Sequence, residues 1–147
     1  HPLDREPDRS NEGVDLRGQF YRIYTHRPND PEHTKVMLTH WFRERAETLL
    51  PERFDDACWD MQPYGITVPE MEVRAMEKRW GSCTPSRRVL LNPELIHAAP
   101  YSIDYVIVHE LCHLKHPYHS DEFYALLERV LPDWKKRKKR LERTQPA

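Results

Sequence analysis

The chain has 147 residues, 23 Lys and Arg against 24 Asp and Glu, a formal net charge of -1 and a mean hydropathy of -0.88. That length supports one modest core; no window approaches a membrane span, no basic-then-apolar leader opens the chain, and the balanced charge gives no overall pull toward nucleic acid. Cys58, Cys83 and Cys112 are scattered, without a CxxC pair, which argues against a disulfide framework and for a reducing, cytoplasmic setting.

Residues 1–13 are polar and Pro-containing and read as a tail; residues 14–147 read as one domain. Residue 1 is His, so the chain reads as a C-terminal fragment of a longer protein. Gln19 to Tyr24 is aromatic-rich and predicts a strand, and Arg27 to Pro31 a loop. Leu38, Phe42, Ala46 and Leu49 repeat at helical spacing and predict a helix from Thr34 to Leu50, with Pro51 interrupting it and a short helix following from Arg53 to Met61. Ile66 to Val68, Met71 to Met76 and Val89 to Leu91 predict strands of a small sheet, with Thr84-Pro85-Ser86 as the turn after Arg79 to Cys83. Asn92 reads as a cap or turn residue.

Ser102 predicts the N-cap of a helix to about Leu114, with Ile103, Ile107, Leu111 and Leu114 as its apolar stripe. Pro117 ends it. Ser120 caps the next helix, with Phe123, Leu127, Val130 and Leu131 inward, and Pro132-Asp133 opens a last helix to about Arg143.

The chemistry sits at His109-Glu110-Leu111-Cys112-His113. At about 100° per residue the two histidines fall one turn apart, away from the apolar stripe, where two imidazoles can reach one divalent cation. Glu110 lies close enough to act on a metal-bound water without ligating. A catalytic zinc takes three protein ligands and keeps a fourth position for water. Position favours His119 as the third, with His116 and Glu122 as alternatives. The bland reading is a surface helix with two exposed histidines; the strong apolar face argues against it. Cys112 reads as a buried, inert thiol.

Arg79-Trp80-Gly81-Ser82-Cys83, Leu91-Asn92-Pro93-Glu94-Leu95, Tyr105 to Leu114 and His119-Ser120-x-x-Phe123 together resemble the YgjP-like metallopeptidases, zincin-type proteins related to the SprT and WLM groups. The resemblance covers about Thr34 to Leu141. It implies an α+β, zincin-like fold: a small mixed or antiparallel sheet beside an active-site helix, with further helices. It places the third zinc ligand on His119. It implies a peptidase in which Glu110 takes the proton of a zinc-bound water that attacks a peptide carbonyl. The segment from Arg79 to Leu91 then supplies an edge for an extended peptide. Arg79 and Trp80 read either as substrate contacts or as packing and ion-pairing residues, and Tyr118 or Tyr124 as an oxyanion donor or as packing.

Two other functions fit the residues. One is a metal-dependent nucleotide pyrophosphatase, an activity attributed within the resembling family. The other is a metal-stabilised nucleic-acid or protein-binding module, against which an intact Glu110 speaks. The run from Lys135 to Arg143 reads first as a solvated helix face and second as a contact for phosphate or nucleic acid.

Overall fold

Pro51 sits inside a helix, not at its end. In the computed structural model, which describes residues 12–17 and 20–144, α1 runs unbroken over Pro31–Met61. The expected break at Pro51 is therefore corrected. An interior proline costs about 3 kcal/mol or more. Burial on either side offsets it: Leu50, Phe54, Ala57, Cys58 and Met61 all lie in the core, and each large apolar side chain contributes about 1.5–3 kcal/mol. The helix also starts earlier than its apolar repeat suggests. Asp30 Oδ1 accepts the His33 N–H at 3.1 Å, and Pro31 takes the first helical position, where no donor is needed.

The chain forms two compact units, residues 1–44 and 45–147. In the first, β1 (Gly13–Arg17) pairs antiparallel with β2 (Phe20–Tyr24), Gly13 opposite Tyr24 and Arg17 opposite Phe20. The expected tail falls mainly on residues outside the described ones, and Gly13 opens β1. The expected strand over 19–24 appears as β2, Gln19 lying outside the described residues. β1 escaped the sequence pattern because the buried side chain described in it is an aspartate. Asp15 pairs with Arg22 directly across the ladder at 3.2 Å. Tyr21, Trp41 and Phe42 meet edge to face, with ring centroids 5.2–5.3 Å apart.

In the second unit, β3 (Glu70–Val73), β4 (Gly81–Cys83) and β5 (Arg88–Leu91) form a sheet in the order β3-β5-β4. β3 runs parallel to β5, Val73 opposite Leu91; β4 runs antiparallel, Gly81 opposite Leu91. Val89, Leu90 and Leu91 are all buried, as a central strand requires. The expected strand at Ile66–Val68 is absent: Ile66 is buried but Val68 is exposed, and β5 already has partners on both sides. The strand expected over Met71–Met76 ends at Val73.

Asn92 ties the end of β5 to the approach to β4. Its Oδ1 accepts the Glu94 N–H and caps a 3-10 turn over Pro93–His97. Its Nδ2 donates to the carbonyls of Met76 and Arg79, both at 2.9 Å.

Three helices complete the unit: α2 (Pro100–Cys112), α3 (Asp121–Val130) and α4 (Trp134–Leu141). Ser102 does not cap α2. Pro100 opens the helix after Ala99, and Ser102 lies buried one turn in, its hydroxyl donating to the Arg137 carbonyl at 2.9 Å. Ser120 does cap α3, accepting the Phe123 N–H at 3.2 Å. α4 is shorter than expected at both ends. Replacing Asn92 with Ala removes the side-chain partner of two part-buried carbonyls and one amide N–H. We expect a loss of at least about 2 kcal/mol, read from the urea denaturation midpoint, with the m-value unchanged.

Candidate metal centre

α2 buries Ile103, Ile107 and Leu111 on one stripe and so fixes where its other face points. His109 and His113 occupy that other face, half-buried. His113 is the first residue past the helix, still in helical conformation at φ -64° and ψ -20°. The chain then turns, and Ser120 starts α3, so His119 arrives from the helix entry. The imidazole centroids of His109, His113 and His119 lie 5.0, 5.3 and 4.7 Å apart for the pairs 109–113, 109–119 and 113–119. One nitrogen from each lies within 4.8 Å of the others. Among the described residues this is the group of His, Cys, Asp and Glu side chains whose spacing can hold a metal ion. Three imidazoles are a donor set suited to zinc and related divalent cations.

Phe123 is the plate under the three rings. It is fully buried, with its ring centroid 5.0 Å from His109, 4.6 Å from His113 and 5.0 Å from His119. The Ser120 cap fixes the first turn of α3 and thereby sets both Phe123 and the neighbouring His119. His113 Nδ1–H donates to the His116 carbonyl at 3.2 Å, leaving Nε2 as the nitrogen with a free lone pair. Burial, followed by the neighbouring His109 and His113, holds His119 below the usual histidine range, which favours the neutral, ligating form.

Glu110 is only 7% exposed. Its Oε2 stands 3.2 Å from His109 Nδ1. Gly81, the first residue of edge strand β4, gives it room. A methyl group at that position would meet Val106 Cγ1 at 3.0 Å, Glu110 Cγ at 3.1 Å and Glu110 Oε2 at 3.3 Å. The glycine is there for close approach of strand to helix. Of the segment from Arg79 to Leu91, β4 is an outer strand of the sheet and β5 the central one, and β4 lies directly against the carboxylate. Sequence reading found Gly81 only as part of a motif; an isolated glycine in a short strand was the signal for its packing role.

The remaining candidates separate. His116 contributes its backbone carbonyl, and Glu122 turns its carboxylate to the N-terminus of its own helix and to Ser120; neither joins the three-nitrogen group. Trp80 packs against the core, and Arg79 is exposed, its carbonyl held by Asn92. Tyr118 is 82% exposed. Tyr124 faces His119 at 6.1 Å and stacks on Trp134 at 5.5 Å. Tyr105, one turn before His109 on α2, stacks on the same indole at 6.4 Å and meets His109 edge to face at 5.9 Å. This aromatic bracket was not foreseen, since Trp134 lies far along the chain from either histidine. Cys112 is fully buried, and its thiol is pushed up to about 12 by burial and by the Glu110 charge. It stays protonated and inert.

A model of the YgjP-like metallopeptidase domain matches residues 1–144. The chain belongs to the YgjP-like metallopeptidase family. Among solved structures, this YgjP-like chain is similar to the metallopeptidase zymogen abylysin of Pyrococcus abyssi, at 22% identity and a TM-score of 0.54 over 65% of this chain and 90% of that one. That likeness supports the α+β, metallopeptidase-type fold. No curated protein matches the chain. No helix among the described residues is long and apolar enough to cross a membrane.

Gly81→Ala gives the closest test of the β4–α2 contact. The added methyl must push Val106 or Glu110, both of which are buried. We expect a loss of about 1–3 kcal/mol in thermal unfolding, with Gly81→Val worse. An unchanged melting temperature would show that the strand does not approach α2 so closely.

Proposed function

We propose that this protein is a zinc-dependent metallopeptidase in which His109, His113 and His119 hold the ion and Glu110 is the general base. One observation carries the reading: three imidazoles spaced to hold one cation, beside a buried carboxylate that lies against an edge strand. Membership of a metallopeptidase family supports it. A zinc ion held there would acidify a water molecule and polarise a peptide carbonyl.

The rest is done by the protein's own side chains. Glu110 touches the cluster, its Oε2 3.2 Å from His109 Nδ1, without being one of its three donors, and in this reading its carboxylate takes the proton of the attacking water and returns it to the departing amine. The burial of Glu110 keeps bulk water from that exchange. β4 has β5 on one side and, among the described residues, no strand on the other, so an extended peptide can add to it as a further strand. Glu110 then faces the peptide across Gly81. In this reading Arg79 and Tyr118, both exposed, and Trp80 at the approach to β4 contact the substrate. The reducing cytoplasm is the proposed setting, in keeping with three free cysteines.

Purified full-length protein should carry close to one equivalent of zinc by elemental analysis. His119→Ala should lower metal affinity by at least about tenfold. Glu110→Gln should retain the metal but lose casein cleavage by about 10²-fold or more. Hydrolysis of nucleoside triphosphates instead of casein, abolished by the same variant, would assign the centre to phosphoanhydride chemistry. Activity indifferent to Glu110→Gln would remove it from the reaction altogether.

A further inference from the structure

The three imidazoles of the cluster are not held alike. His113 is aimed by its hydrogen bond to the His116 carbonyl, and His109 has Glu110 Oε2 beside its Nδ1. His119 is the exposed member and makes no hydrogen bond among the described residues. Such a side chain keeps its rotamer freedom unless neighbouring groups remove it. Two aromatic side chains stand against it: Phe123, with ring centroids 5.0 Å apart, and Tyr124, at 6.1 Å. Phe123 is fully buried and fixed by the core, whereas Tyr124 is 39% exposed and takes its position from what it stacks on.

That partner is Trp134. Its indole lies nearly parallel to two tyrosine rings, at 5.5 Å and 27° from Tyr124 and at 6.4 Å and 12° from Tyr105, within the range of offset-stacked pairs. Tyr105 in turn meets His109 edge to face at 5.9 Å, and His109 stands 5.3 Å from His119. Five rings therefore form a closed circuit, from His109 through Tyr105, Trp134 and Tyr124 to His119 and back. Three helices contribute to it: α2 gives Tyr105 and His109, α3 gives Tyr124, and α4 gives the indole. The indole is presented from a fixed base. Arg137 Nη1 donates to the Tyr101 carbonyl, and the Ser102 hydroxyl donates to the Arg137 carbonyl, both at 2.9 Å. Tyr105 lies one turn past Tyr101, and Trp134 one turn before Arg137, so these bonds bring the two rings together.

We propose that Trp134 is a positioning residue of the metal centre: acting through Tyr124 and Tyr105, it sets the orientation of His119 and His109, and with it the affinity and coordination geometry of the bound ion. The proposal rests on His109, His113 and His119 being the ligands, and is independent of what the centre hydrolyses. A residue that only filled the core would change stability alone. One that aims ligands changes metal affinity, by about 10–100-fold.

The test uses the full chain, with zinc or cobalt(II) alone as the probe. Zinc affinity is read by competition with a chromophoric chelator, coordination geometry from the visible absorption of the cobalt form, and stability of the metal-free protein from urea denaturation. Trp134→Leu should lower zinc affinity at least about tenfold and weaken the cobalt bands that mark four-coordinate geometry. Trp134→Phe, which keeps a ring in the stack, should recover most of both. Tyr124→Leu removes the His119 arm from a partly exposed position, so the protein should stay folded while zinc affinity falls; it carries the test if Trp134→Leu does not fold. Leu141→Ala is the control. It truncates a buried side chain two turns beyond Trp134 on the same helix, and should lower stability with zinc affinity unchanged. Affinity unaltered by both Trp134→Leu and Tyr124→Leu, or lowered as much by Leu141→Ala, would overturn the positioning role. Absence of zinc and cobalt uptake by the unsubstituted chain would instead defeat the metal centre itself, and the role of Trp134 with it.

Discussion

The buried stripe of α2 is the constraint on which the centre depends. Ile103, Ile107 and Leu111 are almost completely withdrawn from solvent, so the helix cannot roll without exposing them. With its roll fixed, His109 and His113 face one way, and Glu110 turns toward β4. Phe123 then does for the imidazoles what the stripe does for the helix. A single buried ring touches all three and limits the rotamers each can adopt. A polar cluster of this kind is held in place by apolar packing beneath it. That division of labour lets the nitrogens keep their lone pairs for a ligand instead of spending them on each other.

The edge of the sheet enters by a different route. β4 is only three residues long and gains little from its own ladder. It is placed by Asn92, which holds the carbonyls of Met76 and Arg79 from the end of β5, and by Gly81, which lets the backbone lie against Glu110. A buried asparagine and a glycine thus decide how far the carboxylate stands from any chain that pairs with β4. Neither has chemistry of its own.

Much of this was legible in the amino-acid order. The helical spacing of His109 and His113, the apolar stripe, the Ser120 cap and the position of His119 all follow from local periodicity, and all are present in the structure. What was not legible depends on partners distant in sequence. Pro51 looked like a helix break because the packing of Leu50, Phe54 and Met61 into the core cannot be read from a proline. Ser102 looked like a cap because its partner, the Arg137 carbonyl, lies 35 residues on. β1 hid behind an inward aspartate whose counter-charge is across a hairpin. The two-sided character of the basic run, by contrast, was legible: Trp134 and Leu141 read as its docking side, and both pack inward.

His119 belongs to the entry of α3, whereas His109 and His113 belong to α2. An ion bound by all three would therefore be a staple between two helices that are otherwise joined only by packing and a short turn. Such an ion has no comparable site in the unfolded chain, so its binding free energy adds to folding: about 2.7 kcal/mol when free metal stands a hundredfold above its dissociation constant. The connection from Leu114 to Ser120 would then be held between two ligands of the same ion, His113 before it and His119 within it. For a protein with this layout, the supply of metal would govern the lifetime of the fold as well as its chemistry.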